Sequence, residues 1–187
     1  MKKIILFIAI LFATTSIINA QTAETTETES ESVTEAKTEL SVTLHPIQII
    51  TINDVGVDLA YITKDHYSDG VTTKKDKHLS IYSTGGFVVN VKSASDNLIG
   101  VGNDAKTIPS NTISLAASNT KVPTLSPISV ALSSKDSPLF SSVKGGSDLS
   151  YNVNYKGADL NGYFDKLFNK TEPSVFKTEV TYTITPL

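Results

Sequence analysis

The chain has 187 residues, enough for one domain of ordinary size with terminal extras. It contains no cysteine, which excludes a disulfide framework, a thiolate metal site, a cysteine nucleophile and an acylated cysteine anchor. The formal charge is only −3 and all sixteen basic residues are lysine, so the bidentate anion recognition that arginine provides is missing.

Residues 1–20 open with Met1-Lys2-Lys3, run through an apolar stretch from Ile4 to Ala13, and reach Asn19-Ala20 through small polar residues. A basic start, an apolar middle and a small-residue end predict a secretory signal peptide. The apolar run breaks at Thr14-Thr15-Ser16, short of the ~20 residues that a spanning helix needs. The expectation is an exported chain in the periplasm, on the cell surface or outside the cell, with no membrane span in its mature form.

Residues 21–39 carry Glu24, Glu27, Glu29, Glu31, Glu35 and Glu39 against Lys37, a net of −5. Val33 is the one large apolar residue before Glu39. So little apolar surface cannot offset the entropy of ordering, which predicts a disordered acidic linker. Residues 40–187 then carry no net charge. A neutral, arginine-free domain is a poor partner for nucleic acid, where phosphate contacts dominate affinity.

From Leu40 the pattern turns to alternation, the mark of half-buried strands. Leu40, Val42 and Leu44 alternate before Pro46, and Ile47, Ile49, Ile50 and Ile52 continue with a phase slip, predicting a bulged edge strand. Val57, Leu59 and Tyr61 predict another strand. Leu79 and Ile81 before Ser83-Thr84-Gly85-Gly86, with Phe87, Val89 and Val91 after it, predict a hairpin whose glycines take positive φ.

Strands are also expected at Ile113 and Leu115, at Ile128, Val130 and Leu132, and at Leu149, Tyr151, Val153 and Tyr155. Phe176, Thr178, Val180, Tyr182 and Ile184 face one way in a long last strand, expected to lie centrally, with a wet outer face at Lys177, Glu179, Thr181, Thr183 and Thr185. Residues 159–169 (DLNGYFDKLFN) are the one window that reads as a short helix. The sum is an all-β chain: a single Ig-like β-sandwich of about eight or nine antiparallel strands over residues 40–187, behind the disordered leader.

Catalytic patterns are missing. There is no G-x-S-x-G elbow, no assembled Ser-His-Asp set and no pair of facing carboxylates. Asp65, His66, Asp69, Asp76 and His78 match no metal-ligand spacing, and Lys64, Lys74, Lys75 and Lys77 oppose a cation, so these residues read as a charged loop. His45, beside Pro46, reads as a solvated turn residue. No cofactor, metal or catalytic residue is expected. Of the seven tyrosines, Tyr61, Tyr151, Tyr155 and Tyr182 fall in phase with the core. Tyr67, Tyr82 and Tyr163 remain as candidate exposed ligand-binding aromatics, of the kind on which a surface glycan stacks.

The polar leader followed by a sandwich that ends in Val180-Thr181-Tyr182-Thr183-Ile184-Thr185 resembles the small secreted β-sandwich proteins of Gram-negative bacteria, including spore-coat-U-like and pilin-like surface subunits. The resemblance implies a non-enzymatic cell-envelope protein, structural or adhesin-like, whose partners or other copies join through edge strands. The chain departs from the chaperone-usher subunits of that group in having no cysteine pair. Residues 21–38 have no alternating apolar residues to fill a partner's groove, and only residues 40–44 do. The alternative is a soluble extracytoplasmic module that binds a glycan or other ligand.

Overall fold

The computed structural model describes residues 34–119 and 129–187. The expected signal peptide, the leader before residue 34 and the Ile128 end of one expected strand lie outside the described residues. The chain divides into two units, residues 1–42 and 43–187. The described part of the first unit has no regular secondary structure and is exposed throughout.

The second unit is an all-β sandwich with eleven described strands, all paired antiparallel. One sheet has the order β1-β2-β9-β6-β7, formed by β1 (Gln48–Ile52), β2 (Thr72–Ser83), β9 (Gly146–Lys156), β6 (Ser114–Ser118) and β7 (Val130–Ala131). Facing it are two three-stranded groups. The first, β11-β3-β8, comprises β11 (Val180–Pro186), β3 (Phe87–Ser93) and β8 (Ser137–Ser142). The second, β10-β4-β5, comprises β10 (Phe176–Lys177), β4 (Asn97–Gly100) and β5 (Asn103–Pro109). The chain passes from β3 to β4, and from β10 to β11, across short breaks. The Ala94 N–H donates to the Glu179 carbonyl (2.9 Å) there, holding the two groups in line.

Alternation explains the core. Tyr151, Val153 and Tyr155 on β9 and Leu79 and Ile81 on β2 turn inward to meet Phe87, Val89 and Val91 on β3 and Tyr182 on β11. Leu115 and Ala117 complete one side, and Leu139 and Phe140 the other. Phe140 spans the two layers, its ring 4.3 Å from Tyr151 and 6.4 Å from Phe87. Each such side chain contributes about 1.5–3 kcal/mol by leaving water. On β11, Thr181, Thr183 and Thr185 are exposed, the wet face that alternation predicts.

Several expected elements differ. Ser83–Gly86 is not a hairpin turn: β2 pairs with β1 and β9, whereas β3 pairs with β11 and β8, so the chain crosses between sheets. Neither Gly85 nor Gly86 has positive φ. The corner needs glycine at a different place. A Cβ on Gly145 would collide with the Ser83 carbonyl and lie 2.7 Å from the Gly85 nitrogen, so the β8–β9 turn can close on this corner only without a side chain.

The first strand is only β1, and residues 40–44 have no strand, with Leu40, Val42 and Leu44 at 88%, 78% and 86% exposure. Residues 54–62, including Val57, Leu59 and Tyr61, are irregular. The last strand is two elements, β10 and β11, and it lies at an edge. Residues 159–169 are not a helix but turns over 160–165 and irregular chain beyond, because Leu160, Asn161 and Asp165 adopt left-handed φ of 50°, 60° and 61°, which a right-handed helix excludes. The one α-helix among the described residues is α1 (Lys64–Asp69), inside the stretch read as a charged loop.

Candidate binding cleft

A cavity of about 930 Å³ opens between residues 52–62 on one side and residues 173–180 on the other. Residues 173–180 border it without a gap, and residues 52–62 do so except Asn53 and Gly56. Apolar side chains from deeper in the sandwich, among them Leu98, Ile108, Ile113 and Leu132, line its interior. At its mouth, Asp54 accepts an ion pair from Lys75 at 2.6 Å. That bond, helped by the Gly56 amide, holds the Asp54 carboxyl below its usual range.

The lining mixes apolar side chains with charged ones, Asp54, Asp58, Lys166, Lys177 and Glu179, and among its buried residues three are joined in one polar network: His78, Tyr155 and Tyr182. His78 reaches it through a bulge. Pairing of β2 with β9 is regular at Lys75 opposite Val153 and resumes at Leu79 opposite Tyr151. Between them, Lys77 takes φ 50°. Asn152 Oδ1 accepts from the Lys77 amide (2.7 Å), and Asn53 Nδ2 donates to the Lys77 carbonyl (2.6 Å). Three residues, 76–78, stand opposite Asn152 alone, so the alternation is broken locally and His78 and Leu79, neighbours in sequence, are both buried, at 2% and 0% exposure.

Tyr155 descends from β9 and Tyr182 from β11 in the facing layer. The Tyr155 hydroxyl bonds His78 Nε2 (2.9 Å) and also the Tyr182 hydroxyl. Nδ1 of His78 is buried and has no hydrogen-bond partner among the described residues. Burial pushes the imidazole pKa down, reinforced by the Lys75 charge and opposed by Asp54, so His78 is neutral near pH 7. Burial also pushes the Tyr155 phenol up to about 12, against the opposing effect of its bond with Tyr182. Tyr182 is raised by burial and by Tyr155. The His78–Tyr155–Tyr182 network is thus uncharged, and each of its hydroxyls keeps its proton.

The expected aromatics divide. Tyr67 and Tyr163 line the cleft at its α1 end, where both pack on Tyr61 with ring centroids 5.3 and 4.9 Å away. The Tyr163 hydroxyl shares a hydrogen with Thr112 Oγ1 (2.9 Å), and Tyr61 donates to the Ala158 carbonyl (2.7 Å). Burial pushes the Tyr61 phenol up to about 12. Tyr82 stands apart, 42% exposed beside Ile49 in a separate shallow groove of about 290 Å³.

The two histidines of the polar stretch have different roles. His66 Nδ1 accepts from the Ile62 amide (3.1 Å) and caps α1 reciprocally with Thr63, and His78 belongs to the cleft. Among the described residues there is no group of three or more His, Cys, Asp or Glu placed to hold a metal ion, and no helix long and apolar enough to cross a membrane. The sequence pattern places Tyr155 and Tyr182 in the core correctly but gives no sign of their hydroxyl contact, and it does not point to His78. No protein-family model matches this chain, and no curated protein matches it significantly.

Proposed function

We propose that this chain is a non-enzymatic protein of the cell envelope, a structural or adhesin-like and pilin-like surface subunit that joins its partners by strand addition. The observation that carries the reading is the open edge beside the cleft. β11 pairs only with β3 and β10 only with β4, so the outer backbone edge of residues 176–186 has no hydrogen-bonded strand among the described residues. An edge of this kind is a template for another strand.

Residues 40–44 offer the complementary element. Leu40, Val42 and Leu44 are exposed, alternate in sequence and pair with nothing described. Added beside β10 and β11, such a strand of another copy would place its apolar side chains over the interior of the cleft and its backbone against the open edge. The export pattern of residues 1–20 agrees with an envelope location.

The test is the molar mass of the protein extracted natively from its own envelope, by size exclusion with light scattering. A ladder of multiples or a large assembly supports the subunit reading. A monomer alone overturns it.

A further inference from the structure

We propose that the cleft is a binding site for an uncharged apolar molecule bearing a hydroxyl group, with the hydroxyl on the His78–Tyr155–Tyr182 network and the apolar body against Leu98, Ile108 and Ile113. This goes beyond the assembly reading and does not depend on it.

The network is incomplete as it stands. Three groups make two hydrogen bonds, from His78 to Tyr155 and from Tyr155 to Tyr182. If the protons run toward the imidazole, Nδ1–H lacks an acceptor and the Tyr182 oxygen can still accept. If they run the other way, Nδ1 lacks a donor and the Tyr182 hydroxyl is left to donate. Both ends therefore stay open in either direction. A hydroxyl both donates and accepts, so it satisfies an open end whichever way the protons run.

The surroundings fix the rest of the ligand. A volume of about 930 Å³ lies within the range of small-molecule sites, about 300–1,000 Å³. Leu98, Ile108, Ile113 and Leu132 supply apolar contact, the charged lining residues carry both signs (Lys166 and Lys177 with Asp54, Asp58 and Glu179), and Lys75 is paired with Asp54. Seated on the network itself, a carboxylate would lose its hydration against two protonated phenols and a neutral imidazole, so a preference for the acid would place the ligand's head at the lysines instead. A molecule with no polar group would leave the network as open as before.

Equilibrium dialysis of the purified full chain against decan-1-ol, 1-chlorodecane and decanoate tests this. The chloride is the more hydrophobic of the two neutral probes, so a merely apolar cavity would prefer it. The expected result is that decan-1-ol binds at least about tenfold more tightly than either of the others, the scale of one hydrogen bond that is made or missed in a dry site. In the triple variant His78→Phe, Tyr155→Phe, Tyr182→Phe, which removes every polar group of the network, the alcohol should fall to the level of the chloride while binding of the chloride is kept. The wild-type comparison needs no variant, so it decides the matter even if a substitution unfolds the chain. No saturable binding of the alcohol, a chloride that binds as well or better, or preference for decanoate would each overturn the proposal. Binding is read on the isolated chain, so its failure is scored separately from a failure to assemble.

Discussion

The Tyr155 hydroxyl lies 2.9 Å from Nε2 of His78 on the neighbouring strand of the same sheet, and its second bond, to the Tyr182 hydroxyl, ties this pair to the opposite layer of the sandwich. The bond is made between two buried residues, and Tyr155 also holds Tyr182. Tyr155 is therefore the centre of the network and the other two are its ends.

That position predicts unequal costs of removal. Tyr155→Phe orphans both His78 Nε2 and the Tyr182 hydroxyl, and each buried group left without a partner costs about 1–3 kcal/mol. Tyr182→Phe leaves the Tyr155–His78 bond intact and should cost about 1 kcal/mol. Urea unfolding of both variants and of the double variant measures this. The double variant should be less destabilised than the sum, because the two substitutions remove one shared bond.

The imidazole predicts a pH dependence. Burial lowers the His78 pKa from 6.5 in the folded chain, so the unfolded chain binds the proton more readily. Stability is therefore full above about pH 6.5 and falls as the pH drops from there toward the folded value. Asp54 opposes this shift and Lys75 adds to it, without changing its sign. Thermal melts between pH 5 and 7.5 should show the wild type losing stability on the acid side while His78→Phe stays flatter. Equal slopes would mean that His78 gains its proton as easily folded as unfolded.

The glycines at the sheet-crossing corner predict a contrast. Gly85 has open space around its Cβ direction and no positive φ, so Gly85→Ala should be nearly neutral. At Gly145 the same methyl would strike the Ser83 carbonyl, so Gly145→Ala must push two backbone segments apart, at about 1–3 kcal/mol. Melting temperatures of the two variants decide it. The reverse order would restore the hairpin geometry expected from the sequence.

What the sequence could reveal follows from the range of the interactions. Alternation is local, so Tyr151, Val153 and Tyr155 and the wet face of Thr181, Thr183 and Thr185 are legible without a structure. Partnership is not local. Ser83–Gly86 has the composition of a hairpin, and only the pairing of β2 with β9 and of β3 with β11 shows that it crosses between sheets. The stretch Lys74 to His78 looks like a solvated loop because the bulge that buries His78 depends on Asn152 and Asn53, which lie far from it in sequence. The polar network of the cleft is hidden for the same reason: His78, Tyr155 and Tyr182 come from β2, β9 and β11, whose register no local pattern reports. α1 escapes notice because six residues held by a capping box carry too little periodicity to recognise.

The last prediction concerns residues 40–44. Their apolar side chains are exposed and no described strand pairs with them, so they contribute little to the fold of a single chain. Val42→Asp should leave the melting temperature of the isolated protein within about a degree, since exposed substitutions of this kind stay within about 0.5 kcal/mol. In an assembly built by strand addition, the same aspartate would enter the apolar interior of the cleft and be strongly disfavoured. Thr178→Pro tests the other side of the contact. Thr178 lies in the break between β10 and β11 and borders the cleft, and proline there would remove a donor from the open edge. Light scattering on envelope extracts should therefore show both variants shifted to the monomer while the purified chains still melt cooperatively. If Val42→Asp assembles like the wild type, these residues do not supply the added strand. If Thr178→Pro melts normally and assembles like the wild type, the open edge of the last strands is not the seam.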